Sequence, residues 1–79
     1  MKDKNAAVVE ITQTAIKFKS SVILEFDNKS VDVKSILGLI TALRTERSYI
    51  LHVIGPDEEE AKLAMKEVFA NHFINVTAG

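Results

Sequence analysis

The sequence predicts an α+β fold in which helices cover one face of a small antiparallel sheet, an open sandwich. Three observations carry that reading. Residues 22–26 and 30–33 alternate on either side of Asp27 and Asn28, which tolerate left-handed backbone angles, so they read as a hairpin. At Lys34 and Ser35 the apolar period changes from two to three and four, with Ile36, Leu37, Ile40 and Leu43 on one side of a short helix. Residues 6–18 and 58–71 carry longer helical spacing at either end. In chain order the elements are α-β-β-α-β-α, in one domain spanning residues 1–79 with its core in residues 6–71.

The first helix sets two signals against each other. Val8, Ile11, Ala15 and Phe18 share one helical face, with Glu10, Thr14 and Lys17 turned away. Val8, Val9, Ile11, Thr12 and Thr14 are β-branched, which lowers helix propensity. The spacing survives over three turns and favours a helix capped by Asp3 or Asn5. The competing reading makes residues 6–12 a strand. The polar residues 2–5 form a frayed end.

In the hairpin, Val22, Leu24 and Phe26 point to one face, and Ile23 and Glu25 to the other. Val31 and Val33 alternate with Ser30, Asp32 and Lys34 in the second strand. Ser35 then stands where an N-cap belongs, its hydroxyl able to accept from a free amide of the first turn. The charged run Arg44 to Arg47 connects to a third strand, residues 48–54. There Tyr49, Leu51 and Val53 face one way, and Ile50, His52 and Ile54 the other. Gly55, Pro56 and Asp57 make a turn. Asp57 with Glu60 three residues on is the pattern of a capping box for the last helix, whose core face is Ala61, Met65 and Val68 or Phe69. Residues 73–79 show no periodicity and read as a tail.

Composition narrows the function. A chain of 79 residues without cysteine has neither a disulfide framework nor a thiolate metal site, and its packed core alone must hold it. Ten basic and eleven acidic residues give a net charge of −1 with the signs mixed along the chain, and no basic patch with aromatics points to nucleic acid. The longest apolar run is five residues, too short for a membrane span, and the N-terminus has no signal-peptide pattern, so a cytoplasmic protein is expected. No nucleophile–base pair, glycine-rich phosphate loop or metal-ligand spacing is present, so neither an enzyme nor a cofactor is expected.

The run Asn28-Lys29-Ser30-Val31-Asp32-Val33-Lys34-Ser35-Ile36-Leu37-Gly38-Leu39 resembles a segment of HPr, the histidine-containing phosphocarrier family of the bacterial sugar phosphotransferase system. Upstream, Gln13 to Phe18 with Ser20 or Ser21, and downstream, Gly55 to Ala61, continue the resemblance. It implies an HPr-like open-faced sandwich and an origin in phosphotransferase regulation. It also exposes departures. The family's phosphorylated histidine opens its first helix; counting back from Thr14-Ala15 puts Lys4 there, with Ala6 and Ala7 for the arginine and proline that follow. Imidazole relays phosphate near neutral pH, and a lysine ammonium does not. His52 and His72 match no family site.

Ser35 stands in its family context. The resemblance implies phosphorylation there by an ATP-dependent HPr kinase, with the product serving a transcription regulator that docks on Ile36, Leu37 and Ile40 in carbon catabolite repression. A branch of the family that lacks the histidine and keeps the serine is a precedent. The resemblance also implies that the family's first strand, at the sheet edge beside residues 48–54, is missing. Tyr49, Ile50, Leu51, His52 and Val53 would then form a bare edge, and a homodimer through it is expected. Against each of these stands a plainer reading: Ser35 as a cap alone, the apolar trio as core, His52 as a surface residue.

Overall fold

The computed structural model describes residues 3–79, so the N-terminal part of the expected frayed end lies outside the described residues. The elements run α1 (Lys4–Ile16), β1 (Ser21–Phe26), β2 (Lys29–Asp32), α2 (Ile36–Ala42), β3 (Ser48–Ile54), α3 (Glu58–Asn71) and β4 (Asn75–Ala78). The sheet order is β2-β1-β3-β4. β1 pairs antiparallel with β2 and with β3, and β3 pairs parallel with β4, so the sheet is mixed rather than purely antiparallel. The α+β open sandwich stands, with one strand more than expected.

Residues 6–12 are helical, and the competing strand is corrected. Asp3 takes the cap, its carboxylate accepting from the Ala6 amide at 3.2 Å. Ala7, Val8, Ile11, Thr12 and Ala15 are buried along one stripe. That burial outweighs the few tenths of a kcal/mol each β-branched residue costs a helix. Thr12 uses its branch, donating from Oγ1 to the Val33 carbonyl at 3.1 Å and tying α1 to the end of the hairpin. The Asp27–Asn28 turn has φ of 48° and 60°, which these residue types tolerate.

The core lies between the helices and the inner sheet face. Val22 and Leu24 of β1 and Tyr49, Leu51 and Val53 of β3 meet Val8 and Ile11 of α1, Leu39 of α2, and Met65 and Phe69 of α3. The opposite sheet face carries Ile23, Glu25, Ile50, His52 and Ile54, and among the described residues no helix lies over it.

Two expectations at the end of the chain are corrected. Asp57 precedes α3 but makes no side-chain cap, and Glu60 closes no capping box. The Asp57 carboxylate instead accepts from the Lys19 amide at 2.9 Å, the Ser20 amide at 2.9 Å and the Ser20 hydroxyl at 2.6 Å. Three donors held across the fold outcompete one amide of its own helix. The second correction is β4. Residues 73–79 are not a tail: His72 and Phe73 turn the chain, and Ile74 is buried. Ile74, Val76 and Ala78 alternate with Asn75 and Thr77, a short period-two signal whose apolar side ends in a small residue, and β3 offers that segment a ladder. The residues Tyr49, Ile50, Leu51, His52 and Val53 therefore lie in an interior strand, not at a bare edge. The sheet's edges are β2 and β4.

Candidate functional site

The seam between β2 and α2 is built from local bonds. The Asp32 carboxylate accepts from the Lys34 amide at 2.9 Å, and the Ser35 amide donates to the Asp32 carbonyl at 2.9 Å, which turns the chain out of the strand. Lys34 reaches back, its Nζ donating to the Phe18 carbonyl just beyond α1 at 2.8 Å. Ser35 is extended, with φ −98° and ψ 111°, and its hydroxyl accepts from the Gly38 amide at 3.3 Å. That bond is long, and the serine is exposed. A side chain at Gly38 would place its Cβ 3.4 Å from Ser35 Oγ, so the glycine leaves room beside the hydroxyl.

The apolar trio divides. Ile36 is 47% exposed and Leu37 80% exposed, whereas Ile40 is half-buried against the core. The core face of α2 is Leu39 with Ala42, followed by Leu43 at its C-cap. Ile36 and Leu37 thus project into solvent beside Ser35, and the reading of all three as core fails for these two.

The residues placed at the expected sheet edge have other work. Tyr49 is buried, donates to the Ala42 carbonyl at 2.6 Å and accepts from the Arg44 amide at 2.7 Å. Burial pushes its phenol above the usual range. Arg47 Nη1 also donates to Ala42, at 2.9 Å, while its guanidinium lies 4.4 Å from the centre of the Phe26 ring. The charged connection after α2 is therefore a tied joint, which no periodicity signals. His52 Nε2 lies 2.7 Å from Glu25 Oε1 on the uncovered sheet face. His72 follows α3, its Nε2 3.4 Å from Glu10 Oε1; that is ion-pair range, but the ring nitrogen has no hydrogen-bond alignment to the carboxylate. The two histidines are on different faces and share no partner. Lys4 opens α1. Among the described residues no group of His, Cys, Asp and Glu is placed to hold a metal, and no helix is long and apolar enough to cross a membrane.

The structure is an open α+β sandwich whose exposed serine caps a short helix, with two bare apolar residues beside it. The comparisons identify the family. A family model described as the PTS HPr component phosphorylation site matches residues 5–71. Over 68 residues the chain is 32% identical to the phosphocarrier protein HPr of Xylella fastidiosa and 37% identical to that of Cupriavidus necator, in each case over 85% of this chain and 76% of the relative. Among solved structures, the HPr dimer from Thermoanaerobacter tengcongensis is similar with a TM-score of 0.78 and 35% identity, over 85% of this chain and 78% of that one. Crh, the Bacillus subtilis catabolite repression containing protein, whose structure shows a swapping domain in an intertwined dimer, is similar with a TM-score of 0.78 and 34% identity, over 84% and 77%. The chain belongs to the HPr family. The match ends at residue 71, and β4 lies beyond it.

Proposed function

We propose that this chain is a regulatory HPr-family module that has lost the phosphoryl relay and is switched at Ser35 by an HPr-kinase-type enzyme. The observation that carries the reading is the seam itself. An exposed hydroxyl on a long, weak cap bond stands next to Ile36 and Leu37, which the fold leaves in solvent. The position counted for the family's histidine holds Lys4, so the relay has no acceptor there. A phosphate on Ser35 would add roughly −1.5 to −2 charge beside the free amides of the first turn of α2, so the helix is kept while the docking patch gains a strong anion. A transcription regulator of carbon catabolite control, contacting Ile36, Leu37 and Ile40, reads that change. A cytoplasmic location fits this role.

The test is intact mass after incubation with ATP and a Gram-positive HPr kinase, beside Ser35→Ala. One added phosphate on the parent and none on the variant is expected. An unmodified parent would reduce Ser35 to a cap.

A second reading concerns assembly. Two similar solved structures, from Thermoanaerobacter tengcongensis and Bacillus subtilis, are described as dimers, and we infer that this chain also forms a homodimer. This role as an assembly module does not depend on phosphorylation.

A further inference from the structure

The two edges of the sheet differ in kind. β2 carries Lys29 and Asp32, charges of the sort that discourage strand-to-strand pairing. β4 and its flanks, Ile74-Asn75-Val76-Thr77-Ala78-Gly79, carry none. Beside β4 runs a groove of about 420 Å³ between the strand and α3, bordered by Lys66, Ala70 and Ile74. Leu63 extends the same helical stripe by one turn and is 70% exposed.

The approach to β4 is also unusual. Phe73 has φ 60°, the left-handed position that glycine normally fills after a helix, and its side chain is 80% exposed. Its amide donates to Ala70 and the next one, Ile74, to Phe69, which closes the helix end. The backbone motif needs a residue that accepts positive φ. Nothing in the monomer rewards a phenyl ring there.

We propose that the free edge of β4 pairs with the same edge of a second copy, antiparallel, about a twofold axis at Thr77. This rests on the homodimer reading and gives it a surface. The register follows from the backbone. The Gly79 amide donates inward to the Leu51 carbonyl at 2.9 Å, and amide directions alternate along a strand. Asn75 and Thr77 therefore direct their backbone groups at β3, and Val76 and Ala78 direct theirs outward. An axis at Thr77 sets Val76 opposite Ala78 of the second copy, and the reverse, so that the four outward donors and acceptors of each copy are all matched, in four hydrogen bonds. Thr77 meets its own copy in the close, non-hydrogen-bonded position, where threonine pairs are favourable. An axis at Val76 would instead call on the Ile74 amide, already bonded to Phe69. The four-stranded sheet becomes an eight-stranded one. A strand of four residues with the exposed Phe73 and Leu63 gives a contact at the small end of the range, below roughly 1,200 Å² in total, so the dimer is weak and reversible.

Sedimentation equilibrium of the full chain tests this, with Thr77→Lys and Ala78→Pro alongside. The proline removes an outward donor without breaking the bonds to β3; the lysine puts like charges on the axis from an exposed position. The parent is expected to rise towards twice the chain mass with concentration, and both variants to weaken association at least tenfold. Far-UV circular dichroism checks their folding, and Thr77→Lys decides if the proline variant unfolds. A parent that stays monomeric overturns the homodimer reading and this surface together. A parent dimer that Thr77→Lys leaves intact overturns the surface alone.

Discussion

Ser20 and Ser35 both stand between a helix and a strand, and the fold treats them in opposite ways. Ser20 is fully buried and gives its amide and its hydroxyl to one carboxylate, that of Asp57, 37 residues away. Ser35 is exposed and holds one amide three residues on, at 3.3 Å. A buried serine with a 2.6 Å bond has no freedom to be modified. The exposed one loses little by it. Two residues of the same type therefore separate into a structural pin and an available site, and burial, rather than residue type, sorts them.

The pin should fail hardest at its tightest point. Gly55 has φ 155° and a Cβ there would lie 2.5 Å from the Ser20 Cα, a backbone atom that cannot swing aside. Gly55→Ala is expected to cost about 3 kcal/mol, from overpacking together with a strained backbone angle. Urea denaturation checks it, and a loss below about 1 kcal/mol would show that the Ser20 junction is loose.

Removing the hydroxyl itself comes next. Ser20→Ala is expected to cost about 1–2 kcal/mol, because a part-buried bond to a charged acceptor is lost while Asp57 keeps the Lys19 and Ser20 amides. The same variant has a signature in pH. The Ser20 hydroxyl, then the Lys19 amide, hold Asp57 down from 3.8 to about 2. A depressed carboxylate stabilises the fold above its unfolded value, and that contribution is lost as pH falls through the folded one. In Ser20→Ala the folded value moves back towards 3.8, so parent and variant stabilities should converge on acidification through that window. Parallel curves would show that the hydroxyl does not set the Asp57 carboxyl.

Much of this contrast was legible in the sequence on one side only. The Ser35 seam is local, and a change of period with a capping residue can be read from ten consecutive positions. β1, β3 and α3 were legible for the same reason, since each keeps one period for five residues or more. The Ser20–Asp57 junction joins residues 37 apart, and Asp57 carried a stronger local signal, the capping box, that the fold does not use. β4 left only a faint signal: Ile74, Val76 and Ala78 alternate with Asn75 and Thr77, but the apolar side dwindles to a small residue at the end of the chain, and the pairing partner lies across α3. The site residues divide in the same way. Ser35, Ile36 and Leu37 lie together as their spacing implies, while Tyr49 to Val53 could be assigned to an edge only as long as β4 was unseen.

The smallest effects lie at the seam. Ser35→Ala is expected to cost about 0.5–1 kcal/mol, the low end for a cap, because the bond it removes is long and exposed. Gly38→Ala should go the other way. Glycine within a helix costs about 1 kcal/mol relative to alanine, and the added Cβ would meet Ser35 Oγ at 3.4 Å, an ordinary contact. The unmodified variant is therefore expected to gain up to about 1 kcal/mol. The same methyl would crowd a phosphoryl group carried by that oxygen. If the glycine is kept for the modification, Gly38→Ala will be more stable and a poorer kinase substrate, read by thermal unfolding and by intact mass. If it is kept for packing against Val31, whose Cβ lies 3.9 Å from the added atom, stability will fall and phosphorylation will be unchanged. The sign of one stability change, read with one mass, thus separates a site from a cap.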